Sequence, residues 1–457
     1  MLNSQSPRLA LSSKLGWATG QVAIAAHMAI ISIYLLFYLT DVQHLPGSLA
    51  GTLILVPRLW NIFTDPIVGG ISDRVRSRWG RRRPFLLAGS TLWGLAFALM
   101  FWIPTGLTLT GKSVWFLVAY LIVNTGLSLY HVPYSAMAAE MTRDPIERTS
   151  LIAVKEVTAR ASVLAAVLLS PIVIALAPQA ALGYRILGLV IGVVVIVSGW
   201  STFVMTRNAP AIAYQEQNLS WRQQIDTFRS NRPLFVLSAA YTLTSATDAF
   251  YSALFIYFVT ICLGQDSAAT GVLYPIGSLA SIALTPVWGL LGARVGKVRA
   301  CAIAFLTVAG IFLLAPLVPI AGTWSTYPFM ILLGGSLAGM FLLPNAIIPD
   351  TVEYDEALSG MRREGTIYGA WVFTQQTGMA LGTFFVGVFL DLIGQTSGAP
   401  GAHQSLAITT GFALIPATLV ILATVLLRAF SLDRRGAVSG VAGVRPPVAD
   451  MLSPSDS

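Results

Sequence analysis

The sequence predicts an all-α membrane protein with twelve transmembrane helices, arranged as two six-helix bundles. The 457 residues are 55% hydrophobic and only 11% charged, whereas soluble domains carry about 25% charged residues. Apolar runs of about 20 residues, long enough to cross the hydrocarbon core of a bilayer, recur along the chain. Basic residues concentrate in every second loop between these runs.

Twelve apolar runs qualify as membrane spans. Each is assigned as a helix because backbone polar groups must be hydrogen-bonded internally within lipid. We place the predicted spans at residues 15–39, 48–72, 84–104, 113–139, 150–177, 183–205, 233–262, 268–292, 299–320, 325–349, 365–390 and 405–429.

The positions of the basic residues set the orientation of the spans. All but four of the 28 Lys and Arg residues lie near the termini or in loops on the side of the termini. The exceptions are Lys112 and Arg185 in opposite loops, and Arg58 and Arg160 inside spans. Loops rich in Lys and Arg remain cytoplasmic. We therefore expect a multi-pass protein of the plasma membrane, a bacterial inner membrane, with both termini cytoplasmic. The net charge of +8 then reflects topology and not nucleic-acid binding.

The chain divides into two halves and two polar segments. We expect an N-terminal bundle over 1–205, a cytoplasmic linker over 206–232, a C-terminal bundle over 233–430 and a disordered tail over 431–457. The polar N-terminus lacks the apolar core of a removable signal peptide. The two cysteines form neither a disulfide framework nor a metal-ligand spacing, and we expect no cofactor or metal.

An internal repeat supports the division into halves. Residues 65–75 read DPIVGGISDRV at the end of span 2, and residues 285–295 read TPVWGLLGARV at the end of span 8. Pro, Gly, Arg and Val recur at the same spacing. Repeats of this kind are typical of transporters built from two related bundles.

Polar residues within the spans are the candidates for function, since a charge at mid-bilayer costs about 2.5–3.5 kcal/mol. Arg58, Asn61 and Asp65 share one face of span 2 and are predicted to face a water-filled cavity between the halves. A structural Arg58–Asp65 pair is the alternative. Asn124, Ser128, His131 and Ser135 form a stripe on span 4 that could line a solute path, although a membrane histidine can also simply bond a neighbouring helix.

Spans 5, 7 and 11 add further candidate groups, for each of which ordinary helix packing is the alternative. Glu156 and Arg160 can pair at i, i+4, next to Lys155. Asp248 on span 7 has no basic residue within a turn, so its partner must come from another helix or from a solute. Amides and aromatic rings suit neutral polyols. The predicted groups of this kind on span 11 are Trp371, Gln375 and Gln376.

Opposite charges in the two halves predict a cytoplasmic gate. The loop after span 2 is strongly basic, and the segment after span 10 is acidic. Ion pairs between them would hold the cytoplasmic side shut and break when the halves rock apart. The predicted gate residues are Asp73, Arg74 and Arg78 in one half and Asp350, Glu353, Arg362 and Glu364 in the other.

Two loop signatures resemble a known family. Residues 61–84, NIFTDPIVGGISDRVRSRWGRRRP, and residues 350–365, with DTVEY followed by GMRREG, resemble the glycoside–pentoside–hexuronide:cation symporters, the melibiose-carrier family of the major facilitator superfamily. The RWGRRRP end also resembles sucrose transporters. The resemblance implies a major facilitator fold and secondary active, cation-coupled symport of a sugar or glycoside by alternating access. It places the coupling cation at Asp65, and sugar binding near Lys155 and Glu156.

The chain departs from the family at several charged positions. Asn61 stands where sodium-coupled members have a second carboxylate, and His131 replaces an acidic residue. Gln375 and Gln376 lie where many members have a lysine. Sodium favours several anionic oxygens, whereas histidine titrates near physiological pH. We therefore predict proton coupling through Asp65, Asn61, Arg58 and His131, with sodium-coupled sugar symport as the alternative.

The sequence bears on three other functions. The same fold could carry a lysolipid or an amphipathic organic anion, which a wide lateral opening between spans 5 and 8 would favour. A membrane enzyme is not expected, because no metalloprotease or nucleophile–base motif is present. A non-transporting sensor would not need the polar stripe. The expected partners are a small polar solute, the coupling cation and the bilayer, with the chain a monomer and no nucleic acid bound.

Overall fold

The computed structural model describes residues 10–142, 144–207, 209, 231–360, 363–394 and 402–430. Secondary structure in this part of the chain is entirely helical, as predicted. Twelve long helices account for most of it: α1 (Leu11–Ile33), α2 (Gly47–Arg74), α3 (Arg83–Phe101), α4 (Leu109–Met141), α5 (Pro145–Ala175), α6 (Ala180–Thr206), α7 (Arg232–Tyr257), α8 (Thr270–Val295), α9 (Lys297–Leu313), α10 (Thr326–Ser359), α11 (Glu364–Leu392) and α12 (Ala402–Leu427).

Within the described ranges, nine of these helices are long and apolar enough to cross a membrane on their own. The other three are α2, α9 and α11. Helix α9 has only 17 residues, and the hydropathy of α2 is lowered by its polar stripe, which includes Arg58 and Asp65. Packing against neighbouring helices compensates such a helix for the polar groups that it brings into the membrane.

Two helix ends differ from the prediction. Helix α10 runs to Ser359, well past the predicted end of span 10 at residue 349. Hydropathy falls where the acidic residues begin, but backbone hydrogen bonding continues along the helix. Helix α9 ends at Leu313 and not near residue 320, because the chain turns and starts a short separate helix, Leu317–Ala321.

Helix packing repeats from one half of the chain to the other. Helix α1 packs on α5 and α6, α2 packs on α4, and α3 packs on α4 and α6. The same pairs recur six helices later: α7 with α11 and α12, α8 with α10, and α9 with α10 and α12. The predicted boundaries of the halves stay predictions, since nearly all of the linker and the whole tail lie outside the described residues.

The repeat extends to an unusual backbone feature. Helix α1 continues through Leu35–Phe37 into a π-helical turn over Tyr38–Val42, and α7 continues into a π-helical turn over Phe258–Cys262. Just after each turn comes a residue with positive φ, His44 at 57° and Gly264 at 60°. The two turns are 220 residues apart, the same offset that separates the matched prolines of α2 and α8.

The two ends of the helix bundle differ in how the halves meet. We call the end at which residues 75–82 join α2 to α3 the basic side, and the end at which residues 43–46 join α1 to α2 the far side. On the far side the halves touch. The Thr40 and Tyr257 hydroxyls lie 2.5 Å apart, and a Cβ built on Gly271 of α8 would come within 2.7 Å of Pro171 Cγ of α5. The structure is therefore closed on the far side.

Candidate functional site

Polar side chains of α2 and α4 meet in a hydrogen-bonded seam. Asn61 Nδ2 donates to Asn124 Oδ1 at 3.2 Å, and the Ser128 hydroxyl donates to Asp65 Oδ1 at 2.5 Å. The Thr64 hydroxyl lies 2.8 Å from the same Ser128 oxygen. The predicted stripe on α2 is thus turned partly toward α4, because its polar groups find hydrogen-bond partners there. Asp65 stays partly exposed, so the seam does not bury its carboxylate completely.

Arg58 is a buried cation on the same helix. Its side chain is 8% exposed, and neither terminal nitrogen has a hydrogen-bond partner among the described residues. The alternative of a structural Arg58–Asp65 pair is therefore wrong for this conformation. Its charge acts on His27 of α1, which accepts a hydrogen bond from Trp93 Nε1 at 3.2 Å. A buried guanidinium without an acceptor is costly, so Arg58 is available to an incoming acceptor.

The basic and imidazole groups of α4 and α5 lie near one another. His131 Nε2 is 3.3 Å from the Ser135 hydroxyl, and His131 lies within range of the charge of Lys155. Lys155 forms an ion pair with Glu156 at 3.1 Å. The predicted Glu156–Arg160 pair is wrong for this conformation, because Glu156 pairs with its neighbour, and exposed Arg160 has no ion pair among the described residues.

Trp371 of α11 belongs to a compact cluster with α7 and α10. Its ring stacks on Tyr241 with ring centroids 3.9 Å apart and planes 5° apart. Its Nε1 donates to Asn345 Oδ1 at 2.9 Å, and its side chain is only 3% exposed. In this structure Trp371 shows the helix packing that was the alternative to solute binding, because Tyr241 already covers one face of the indole. The polar edge of this cluster is Asn345, which is exposed.

Asp248 is the acidic group of α7. It is half-buried, and it has no hydrogen bond or ion pair within the described part of the chain. Its charge acts on three tyrosines, Tyr241, Tyr251 and Tyr274. The predicted basic partner on another helix is thus not found among the described residues, and a solute group or a proton is left as the means of balancing this carboxylate. Gln375 lies near Tyr241, and Gln376 is half-buried.

The charged residues of the basic side pair within their own half. In the N-terminal half Arg82 bonds Asp73 at 2.9 Å and Glu140 at 2.6 Å. In the C-terminal half Lys297 bonds Asp350 at 2.7 Å, and Arg363 bonds Asp355 of α10 at 3.0 Å. Ion pairs between described residues therefore hold each half together on this side without joining one half to the other.

Comparison with known proteins assigns the chain to a family. The family profile described as MFS/sugar transport protein matches residues 16–434, which is most of the chain. The chain belongs to this family. It is 30% identical over 450 residues to a Bacillus subtilis (strain 168) protein named uncharacterized symporter YnaJ, covering 95% of each chain. It is 28% identical over 421 residues to the glucuronide carrier protein homolog of Escherichia coli (strain K12), covering 90% of this chain and 91% of that one.

A solved structure shares the fold of this MFS/sugar transport protein. A bacterial homolog of the human lysosomal transporter Spinster, described as inward-facing and unoccupied, superposes with a TM-score of 0.67 at 12% identity. The match covers 96% of this chain and 98% of the other. With family and fold agreeing, the chain is a multi-pass membrane transporter with the major facilitator fold, as the sequence predicted.

The predicted gate residues of this transporter have other partners than those predicted. Asp73 and Asp350 were predicted to pair across the halves, but each has a partner in its own half. Ion pairs across the basic side are thus not formed by these two residues in this structure, which is closed on the far side. Arg78 lies over the Trp79 ring at 4.7 Å, and Arg74 and Glu353 are exposed. Arg362 and the side chain of Glu364 lie outside the described residues.

Three residues that contact the candidate site residues were not predicted from the sequence. Thr64 completes the contact with Ser128, and Tyr241 and Asn345 flank Trp371. Asn345 carried a usable signal, because it is a polar amide in an apolar run, LLPNAII. Tyr241 carried none, since a tyrosine in a membrane helix is ordinary, and its partner depends on how α7 is rotated against α11.

Proposed function

We propose that this transporter carries out proton-coupled symport of a sugar or glycoside by alternating access. The observation that carries the proposal is the α2–α4 seam, in which a lone carboxylate, Asp65, is held by a hydroxyl donor and stays partly exposed. A sodium site requires several oxygen ligands, usually with more than one negative charge. A single carboxylate bonded to one serine is instead suited to gaining and losing a proton.

The groups available to the solute are polar and only partly neutralised. Arg58 offers unused guanidinium donors, Asp248 offers a carboxylate, and Asn345 and Gln375 offer amides. Hydroxyl-rich solutes need both donors and acceptors, which this set supplies. The name of the Escherichia coli relative, a glucuronide carrier homolog, supports a sugar that bears a carboxylate. Arg58 would bind this carboxylate.

The gate is proposed to work by exchange of ion-pair partners. Closing the basic side brings Asp73, Arg74 and Arg78 toward Asp350 and Glu353, and the present pairs of Asp73 with Arg82 and Asp350 with Lys297 must then loosen. The Lys297–Asp350 pair is largely exposed on the lysine side, and exposed pairs are worth only about 0–1 kcal/mol. Release of Asp350 from Lys297 is therefore inexpensive, and buried Arg82 keeps its bond to Glu140 when Asp73 leaves it.

We place the basic side in the cytoplasm, which puts the closed far side at the outer face of the membrane. Cysteines introduced at Ser77 on the basic side and Ser267 on the far side should react with a membrane-impermeant maleimide from opposite faces, with Ser267 labelled in intact cells and Ser77 only after permeabilisation. Ser77 is exposed and Ser267 is partly exposed. Cys262 and Cys301 should be replaced by alanine to remove native thiols. Labelling of both sites in intact cells would refute this orientation.

The coupling ion is tested by transport in proteoliposomes. A radiolabelled panel of glucuronides, pentosides and disaccharides is first screened by exchange, and the best solute is then offered under an imposed pH gradient or an imposed sodium gradient, each at zero membrane potential. We expect accumulation with the pH gradient, acid outside, and none with sodium. Accumulation driven by sodium alone would overturn the proton assignment, and exchange of none of the panel would overturn the solute class.

The lipid alternative lacks support at the far side. A lipid path would need α5 and α8 to separate laterally, but Gly271 of α8 packs directly against Pro171 and the Val167 carbonyl of α5. Helices in contact leave no opening for an acyl chain at that level. A sugar path through the centre of the bundle needs no such opening.

A further inference from the structure

The N-terminus of α2 is capped by a residue of the opposite half. The first two amides of α2, Gly47 N–H and Ser48 N–H, donate to Asp391 Oδ1 and Oδ2 at 2.6 Å each. Asp391 belongs to the last turn of α11. No hydrogen bond on the basic side joins the halves in this way within the described residues, so this carboxylate is a far-side feature.

Helix α2 has no cap of its own. The residue at its N-cap is Pro46, whose side chain accepts no hydrogen bond, and its first turn contains no acidic residue. The first amides of a helix have no partner inside the helix, and a carboxylate there satisfies them and interacts favourably with the helix dipole. Among the described residues, this stabilisation of α2 comes from Asp391 alone.

The repeat supplies an internal comparison. The residue that corresponds to Pro46 at the 220-residue offset is Asp266, which precedes α8 and accepts from its own Ala268 N–H at 2.7 Å. Asp266 thus caps the 3-10 turn Ser267–Ala269 that leads into α8, and because both belong to the C-terminal half, movement of the halves does not affect this cap. The N-terminal half has no such local cap on α2, and α2 is capped by the other half instead.

Asp391 is also poorly placed for its own helix. It lies at the C-terminal end of α11, where the helix dipole disfavours a negative charge. Contact with the N-terminus of α2 converts this unfavourable position into a favourable one. Opening the far side would leave an uncapped N-terminus on α2 and a carboxylate at the wrong end of α11, so both groups favour the closed state.

We infer that Asp391 is the far-side gate of the transport cycle, acting as a helix cap that forms only when the halves close on this side. The inference goes beyond the proposed solute and ion, because it concerns the equilibrium between the two conformations of the empty transporter. It predicts that loss of the cap shifts this equilibrium toward the far-side-open state, by about tenfold in the ratio of the two states for a cap of ordinary strength.

The test is a distance measurement between spin labels on the two halves, without solute or ion gradient. Leu107 and Trp324 are exposed on the far side, and Ser77 and Ala293 are exposed on the basic side. In Asp391→Ala the Leu107–Trp324 distance distribution should gain a longer component, and the Ser77–Ala293 distribution a shorter one. Asp391→Asn, which keeps one acceptor oxygen without charge, should give an intermediate shift.

Asp266→Ala is the matched control, since it removes a cap that stays within one half. It should lower thermal stability without changing either distance distribution. Combining Asp391→Ala with Pro46→Asp gives α2 a local cap like the one that Asp266 provides in the other half. This double variant should regain thermal stability yet remain shifted toward the far-side-open state. If Asp391→Ala alone folds poorly, the distances are measured in the double variant instead.

Two results would overturn the inference: unchanged distances in a folded Asp391→Ala or double variant, or an equal shift in Asp266→Ala. Because no solute is present, failure here leaves the proposed symport untouched, and failure of the symport assay leaves the cap untouched.

Discussion

Replacing Asp65 by asparagine should abolish uphill accumulation of solute while leaving solute exchange within about tenfold of the unmodified transporter. Asparagine cannot take up and release a proton, but its side-chain oxygen can still accept the hydrogen bond that Ser128 now donates to Asp65. The α2–α4 seam is then preserved while the coupling group is lost. A proton gradient can drive the cycle only if the transporter binds protons differently in its two conformations. Without the Asp65 carboxylate the imposed pH gradient would no longer move solute, and the ratio of solute inside to solute outside the proteoliposomes would fall to about 1.

Asp248→Asn is the matched control for this result. Asp248 is also an acid within the membrane and has no partner among the described residues, but it lies on α7 in the other half. If it contacts the solute, its replacement should raise the apparent KM for uptake while the remaining transport still follows the pH gradient. Should Asp248→Asn uncouple transport and Asp65→Asn retain uphill accumulation, the coupling carboxylate is Asp248 and the assignment to α2 is wrong.

The helices of this transporter could be predicted because each is specified locally. Apolar length sets where a helix enters the membrane, and the alternating positions of basic residues set its expected direction. One helix end differs from the prediction because apolar length and helix length are set by different local properties. Helix α10 continues past its apolar run to Ser359, because hydropathy reports where charge begins and not where backbone hydrogen bonding stops.

The partners of the polar side chains could not be predicted in the same way. The polar stripe of α2 could be predicted from the spacing of its residues. Whether Asp65 bonds Arg58 or Ser128 depends on the rotation of α2 against α4, and sequence periodicity does not determine that rotation. Trp371 shows the same limit, because an aromatic residue suited to stacking on a sugar ring is equally suited to stacking on Tyr241. The predicted gate residues add a second limit: under the proposed exchange of ion pairs, the partners of Asp73 and Asp350 depend on the conformation of the transporter.

The contact between Gly47 and Gly387 makes the far side sensitive to a single added side chain. A Cβ built on Gly387 of α11 would overlap the carbonyl oxygen of Gly47, and one on Gly51 would lie 2.9 Å from the Phe384 carbonyl oxygen. The overlapping atoms are backbone, which cannot move aside as a flexible side chain can. Because α2 and α11 belong to different halves, the clash exists only when the far side is closed.

Gly387→Val should therefore hold the transporter in the far-side-open state with its fold intact. Overpacking costs about 1–3 kcal/mol or more, and each 1.4 kcal/mol is a tenfold change in the ratio of conformations. A cysteine at Thr40, which is buried against Tyr257 in the closed state, should become reactive from the far side, and both uphill and downhill transport should fall at least tenfold.

The matched comparison is Gly334→Val, at an equally close contact between two helices of one half. A Cβ on Gly334 of α10 would overlap the Gly277 carbonyl oxygen of α8, and this contact is present in every conformation because both helices belong to the same bundle. Gly334→Val should therefore lower the thermal unfolding temperature and the yield of folded protein without exposing Thr40. If Gly387→Val instead unfolds like Gly334→Val and leaves position 40 protected in the folded fraction, the α2–α11 contact is a fixed part of the fold and not a seal that opens.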